Sequence, residues 1–73
     1  MKEFKIENPE KIPPKSKDKI LIAMNCSELF FGVAESEDGK RRKCVCFYDY
    51  ELKKWSFVGT IGKKNLIEYY VEK

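Results

Sequence analysis

The sequence contains no histidine and no long apolar run. Histidine is the commonest general base and the commonest nitrogen ligand of metal ions in proteins, so the usual centre of a catalytic or metal site is missing. No segment approaches the roughly 18 apolar residues of a membrane-spanning helix, and the N-terminal residues lack the apolar stretch of a signal peptide. We therefore expect a cytoplasmic protein that is not an enzyme, binds no cofactor and does not enter a membrane.

Cysteine is scarce and odd in number, with only Cys26, Cys44 and Cys46. An odd count in a short chain argues against a secreted disulfide framework and for reduced thiols. Cys44 and Cys46 lie two residues apart and would share one face of a strand, where Cys26 could approach them. Because a structural zinc site usually has four ligands, we interpret the three thiols as small core residues and predict no metal site.

The excess of positive charge is also small, at +3 over 73 residues, which does not indicate a strongly electrostatic contact with nucleic acid. Hydrophobic residues make up 42% of the chain and aromatic residues 14%. Large rings can supply a core that a chain of this length could not build from aliphatic side chains alone. We expect a single small β domain over residues 1–73.

The most informative stretch runs from residue 28 to residue 60, because its turn residues predict a strand register. Asp38-Gly39 is typical of a two-residue hairpin turn with positive φ at both positions. The register that follows pairs Glu37 with Lys40, Glu35 with Arg42, Val33 with Cys44, Phe31 with Cys46 and Leu29 with Tyr48. A second reversal at residues 50–53 pairs Asp49 with Lys54, Tyr48 with Trp55 and Cys46 with Phe57.

This register sorts the side chains of three strands into two apolar faces. The predicted core face consists of Leu29, Phe31, Val33, Cys44, Cys46, Tyr48, Trp55 and Phe57. The predicted second face carries Phe30, Ala34, Val45, Phe47 and Val58. Either the strands around Ile6 and Ile22 curl over this second face, or another molecule covers it.

The remaining segments complete an all-β prediction. Alternation around Phe4 and Ile6 indicates an edge strand, the proline-containing residues 8–19 a loop, and the apolar residues 20–24 a buried strand. For residues 63–72 the pattern favours a strand but leaves open a short helix capped by Asn65. We expect a small antiparallel meander that forms a partly open barrel or a curled sheet, with the C-terminal helix as an alternative ending.

Two candidate binding surfaces follow from this arrangement. The apolar residues Phe30, Val45, Phe47 and Val58 favour contact with a protein partner or with a second copy in a homodimer, because so short a chain has little polypeptide with which to cover two faces. The alternative is a nucleotide or single-stranded nucleic acid. In the predicted register Arg41 and Lys43 have no acidic partner and lie beside Phe47, with Lys63 and Lys64 as further cations.

Several short motifs follow one another in the order Pro14, residues 20–24, Phe31-Gly32-Val33, Tyr48-Asp49 and Lys54-Trp55. Over about half of the chain this order resembles a family of short phage and prophage proteins of unknown function. The resemblance implies a small β domain and a phage accessory protein that binds or sequesters a host protein or a signalling nucleotide. It implies no particular functional residues.

Overall fold

The computed structural model describes residues 2–59 and 62–73, which form five β-strands and one short α-helix. The elements are β1 (Phe4–Glu7), α1 (Lys19–Ala23), β2 (Phe30–Ser36), β3 (Arg41–Asp49), β4 (Lys54–Phe57) and β5 (Lys64–Glu72). All strands are antiparallel to their neighbours in a single open sheet of order β1-β5-β2-β3-β4. The predicted all-β class is confirmed, and β5 and the edge strand β1 also agree with the sequence pattern.

Strands β2, β3 and β4 form a meander, and β5 returns to pair with the other side of β2. This close pairing requires glycine at position 32. A Cβ atom at Gly32 would lie 2.6 Å from the backbone oxygen of Glu68 in β5. The ladder between β2 and β5 also shifts register between Val33 and Ala34, as it does at a β-bulge.

The first hairpin differs from the prediction. The amide of Ser36 donates to the Lys40 carbonyl at 3.0 Å, and the amide of Gly39 donates to the Ser36 carbonyl at 2.9 Å, so the loop has three residues, 37–39, and not two. Of these three residues only Gly39 has a positive φ, 79°. A three-residue loop needs a single left-handed residue, which glycine adopts without steric cost, whereas the predicted turn also needs one at Asp38.

The longer loop shifts the register of β2 against β3 by one residue. Phe30 pairs with Cys46, and Phe31 pairs with Val45, where the prediction had Phe31 opposite Cys46. Because side chains alternate along a strand, this shift exchanges the faces of every β2 side chain relative to β3. The second reversal is confirmed, since the ladder of β3 and β4 pairs Cys46 with Phe57, Tyr48 with Trp55 and Asp49 with Lys54.

One face of the sheet, here called the covered face, carries an aromatic cluster. Its members are Phe30, Tyr48, Tyr50, Trp55 and Tyr69. The ring centres of Trp55 and Tyr69 are 4.7 Å apart, and those of Tyr48 and Trp55 are 5.5 Å apart and nearly perpendicular. Cys46 and Tyr69 are almost completely buried in this layer. The rings supply the large buried surface that a short chain needs for a core.

The covered face is closed by residues 8–18, here called the strap. The indole nitrogen of Trp55 donates to the carbonyl of Pro9 at 2.9 Å, and the hydroxyl of Tyr50 donates to the carbonyl of Pro13 at 2.7 Å. The hydroxyl of Tyr69 donates to the carbonyl of Lys11, which lies between them. The segment predicted to be a loop therefore forms the lid of the core, and its backbone carbonyls find donors on the aromatic cluster.

The apolar residues 20–24 form no strand, which corrects the prediction for this segment. Residues 19–23 form α1, whose first amides are capped by the Asp18 carboxylate, with a distance of 2.9 Å to the amide of Ile20. The side chains of Ile20 and Ile22 are exposed. An apolar run of this length does not distinguish a short helix from a strand, and the aspartate cap decides the outcome.

Removing a hydroxyl from the covered face tests the role of the strap. We expect Tyr50→Phe and Tyr69→Phe each to lower the free energy of unfolding by about 1 kcal/mol, because a strap carbonyl loses its donor. Tyr70→Phe is the matched control, since Tyr70 lies on the opposite face, and it should change the stability by less than about 0.5 kcal/mol. Urea unfolding followed by tryptophan fluorescence gives the three values. Equal losses in all three variants would contradict the proposed closure.

Candidate functional site

The face opposite the strap, here called the open face, carries an apolar row that crosses the whole sheet. The row consists of Ile6, Tyr70, Phe31, Val45 and Val58. The strand ladders pair Ile6 with Tyr70, Tyr70 with Phe31 and Phe31 with Val45. Directly after β4, the amide of Val58 donates to the Val45 carbonyl at 3.0 Å. Cross-strand neighbours of this kind lie side by side, so the row forms a continuous apolar surface.

The apolar row is exposed to solvent at its centre and at both ends, and Tyr70 and Val45 between them are half-buried. Phe31 at its centre retains 63% of its accessible surface, Ile6 at one end 64% and Val58 at the other end 46%. Phe4, two residues before Ile6 on the same strand, is also exposed. Single exposed apolar residues are common on proteins, but contiguous apolar patches mark surfaces that bind other molecules. This row is therefore the candidate binding site.

Three of the four predicted apolar site residues lie on the open face. Val45 and Val58 belong to the apolar row, and Phe47 follows Val45 on the same side of β3, opposite Ser56 of β4. Their side chains are half-buried in the case of Val45 and Phe47 and exposed in the case of Val58. The structure thus brings these three residues together on one surface.

Phe30, the fourth predicted residue, lies on the covered face. Its ring centre is 5.2 Å from that of Tyr69 and 6.3 Å from that of Trp55. The one-residue shift of the first hairpin accounts for the exchange, because it moves Phe31 to the open face in place of Phe30. The shift also explains why Phe31 was assigned to the core in the prediction. A three-residue loop with glycine at its last position was the signal that would have found it.

The basic residues near the hairpin are arranged differently from the prediction. Arg41 was expected to lack a partner, but its Nε atom lies 3.6 Å from the Glu35 carboxylate. Arg42 was expected to face Glu35, and it contacts the Asp38 carboxylate at 3.3 Å instead. The amide of Lys40 donates to Asp38 and is the main reason why the pKa of that carboxyl lies below its ordinary value. Both changes follow from the shifted register.

Lys43 is the predicted cation that stays close to the apolar row. It borders a shallow hollow of about 280 Å³ on the open face, together with Phe4, Phe31 and Tyr70. In the part of the chain that the structure describes, no carboxylate lies within 4 Å of its ammonium group. The other two predicted cations are Lys64, the first residue of β5, and Lys63, which precedes it, and both border a hollow with Ser36 and Arg42. They do not extend the surface around Lys43.

The cysteines lie in packed positions, as the sequence predicts for small core residues. Cys46 is fully buried and Cys26 nearly so, and Cys44 is half-buried. The thiol of Cys46 donates to the Phe30 carbonyl at 3.5 Å. Burial raises its pKa from 9.0 to about 12, and the neighbouring Cys44 adds to the effect. Within residues 2–59 and 62–73, the Cys, Asp and Glu side chains form no group of three that could hold a metal ion.

The comparisons with family models, with curated proteins and with solved structures each found no significant match. The resemblance to phage proteins therefore stays a prediction. Among the described residues, the single helix is far too short to cross a membrane.

The buried thiol of Cys46 gives the stability a dependence on alkaline pH. A pKa raised in the folded state means that the unfolded chain ionises first, so stability is complete below pH 9.0 and is lost as pH rises towards about 12. We expect the urea concentration at the midpoint of unfolding to fall over this pH range. Cys46→Ala should make this fall less steep just above pH 9.0. A parent protein and a variant that lose stability equally steeply just above pH 9.0 would contradict this assignment.

Proposed function

We propose that this chain is a non-catalytic binding module whose open face receives a protein partner, and that a second copy of the chain fits this face. The proposal rests on the apolar row, which runs from β1 across the sheet to Val58 at the end of β4 and is exposed at its centre and at both ends. The strap already covers the other face, so the chain has no comparable segment left among its described residues to place on the open face. Binding of a host protein, which the resemblance to phage proteins implies, is a prediction about a further partner.

The size of the open face supports a modest dimer. Five strands spaced about 4.8 Å apart span roughly 24 Å, and the seven residues of β2 extend for roughly 23 Å. The face therefore offers roughly 550 Å² per copy, or roughly 1,100 Å² for two copies. Specific interfaces generally exceed about 1,000 Å² and typically reach about 1,600 Å². We expect a weak dimer that forms as the protein concentration rises.

A face-to-face pairing gives a geometry that is common in β proteins. Two sheets pack about 10 Å apart, with strand directions within about 30° of each other, and bury their facing apolar side chains. A two-fold axis near Phe31 places each apolar row against its copy, because both partners then use the same surface. The strap of each copy remains on the outside, so the dimer has two sheets between two straps.

Replacing the central ring of the row tests this proposal. We expect Phe31→Ser to weaken dimerisation at least about tenfold, since a ring at the centre of an interface contributes more than those at its edge. Leu52→Ser is the matched control, because Leu52 is 59% exposed but lies in the reversal between β3 and β4. Sedimentation velocity and light scattering over a range of protein concentrations measure both variants beside the parent chain.

The experiment distinguishes three outcomes. A parent chain that dimerises, with loss in Phe31→Ser and no change in Leu52→Ser, supports the open face as the interface. A parent chain that stays monomeric at concentrations of about 1 mM would contradict the second copy as the partner. A dimer that Phe31→Ser leaves intact would place the interface elsewhere and contradict the role of the apolar row.

A nucleotide or single-stranded nucleic acid is the alternative ligand, and the position of Lys43 beside the exposed ring of Phe31 and the half-buried ring of Tyr70 favours it. Bases stack on such rings while a cation contacts the phosphate. The ion pair of Arg41 with Glu35 weighs against it, because it leaves fewer free cations. We therefore rank it second.

The salt dependence of the binding affinity distinguishes a nucleic acid ligand from a protein partner. If the alternative holds, a short oligothymidylate should bind about sevenfold more weakly at 200 mM than at 50 mM salt, as expected for two phosphate contacts. Combining Arg41→Ala with Lys43→Ala should remove the binding, and Lys54→Ala on the neighbouring edge strand should leave it unchanged. Fluorescence anisotropy measures all of these affinities. Binding that is insensitive to salt would exclude the alternative.

A further inference from the structure

A cleft on the covered face lies between the strap and the strands β1, β5 and β2. Its volume is about 400 Å³, within the range of roughly 300–1,000 Å³ that small-molecule sites occupy. The strap is anchored above the cleft at three positions: the carbonyls of Lys11 and Pro13 accept from Tyr69 and Tyr50, and the hydroxyl of Ser16 donates to the Glu28 carboxylate at 3.3 Å. The cleft is therefore formed before any ligand enters.

The lining of the cleft is apolar on two sides. Phe30, Tyr69 and Val71 of the sheet form one side, and Ile12 and Pro13 of the strap belong to the other. The hydroxyl of Tyr69 is occupied by its hydrogen bond to the strap, so this residue presents mainly its ring. Such a lining favours the aliphatic or aromatic body of a ligand, because the transfer of apolar surface out of water stabilises the complex.

Four lysines surround this apolar lining, against two glutamates, which gives the lining residues a net charge of +2. The lysines are Lys5, Lys11, Lys15 and Lys17. One carboxylate, that of Glu7, contacts both Lys5 at 2.7 Å and Lys11 at 3.6 Å, so a single negative charge is shared by two cations. Among the described residues, Lys15 and Lys17 have no carboxylate within 4 Å.

The ammonium group of Lys15 lies 5.6 Å from the centre of the Tyr50 ring, a cation–π contact beside the strap. Within the part of the chain that the structure describes, an anion near Lys15 and Lys17 would contact ammonium groups that no carboxylate approaches within 4 Å. A ligand that fits the cleft therefore needs an apolar body for the lining and a negative group for Lys15 and Lys17. A cation would be repelled, and a nucleic acid strand is too large for a cleft of this volume.

We infer that this cleft binds a small amphipathic anion, with its apolar body between the strap and the sheet and its negative group at Lys15 and Lys17. A short-chain carboxylate has this form. The site is separate from the apolar row, because the cleft and the row lie on opposite faces of the sheet. A ligand here would also contact both the strap and the aromatic cluster that holds it, and it would stabilise the folded chain.

Titration with sodium octanoate, kept below its micelle concentration, tests the inference by NMR of the ¹⁵N-labelled chain. We expect saturable shifts in the amides of Lys11, Ile12 and residues 15–17, and in those of Phe30 and Val71. The neutral analogue 1-octanol should shift the same amides with an affinity about fivefold lower, since exposed ion pairs contribute about this factor. Octylammonium, which carries the opposite charge, should bind more weakly than either.

Two sets of variants complete the test. Lys15→Ala combined with Lys17→Ala should bring the affinity for octanoate down to that for 1-octanol. The control with the same loss of charge is Lys53→Ala combined with Lys54→Ala, because neither of these lysines lines the cleft. Val71→Trp should fill the cleft and abolish binding of both molecules. If this variant fails to fold, the exposed lysine variants still decide the question.

Three results would overturn the inference. The first is an octanoate titration without saturable shifts at residues 11–17. The second is a set of shifts centred on Phe31 and Val45, which would assign the binding to the open face. The third is any sign that the negative group of the ligand adds nothing. That sign would be equal affinity for octanoate and 1-octanol in the parent chain, or an affinity for octanoate that does not change when Lys15 and Lys17 are lost.

Discussion

The fold depends on three hydrogen bonds that join aromatic side chains of the sheet to the backbone of the strap. Trp55, Tyr69 and Tyr50 donate to carbonyls at alternate strap positions from Pro9 to Pro13. A proline-containing segment has few amides with which to join a sheet, but its carbonyls still need partners when they are buried. Tyrosine and tryptophan side chains serve two purposes here. Their rings fill the core, and their O–H and N–H groups donate hydrogen bonds to the strap carbonyls.

The same closure determines which face remains available for binding. A chain of 73 residues buries only about 60% of the surface that its unfolded form exposes, and the strap covers one face of this sheet. The strap occupies the face of Phe30 and Tyr69, and the row centred on Phe31 stays exposed. The proposed protein interface and the proposed cleft for an amphipathic anion thus have a common origin. One is the face that the strap does not reach, and the other is the space that the strap leaves as it crosses the sheet.

The positions of most strands and turns were predicted more accurately from the sequence than the side of the sheet on which their side chains lie. The reversal at residues 50–53 was predicted with its register, because the charged pair of Asp49 and Lys54 and the aromatic pair beside it agree in only one alignment. At the first hairpin, Glu35 finds an arginine in either register, since Arg41 and Arg42 are adjacent, and so charge pairing could not detect the shift. The strap was predicted as a loop, but its role as a lid depends on contacts between residues 37 to 58 positions apart, which no local pattern reveals.

The chain covers its Phe30 face by itself and exposes its Phe31 face. Paramagnetic relaxation by a soluble gadolinium chelate measures this difference directly, in a sample dilute enough to disfavour dimerisation. We expect strong relaxation of the side-chain protons of Phe31, Ile6 and Val58, and protection of those of Phe30 and Tyr69. Strong relaxation at Phe30 together with protection at Phe31 would restore the two-residue turn and contradict this assignment of the two faces.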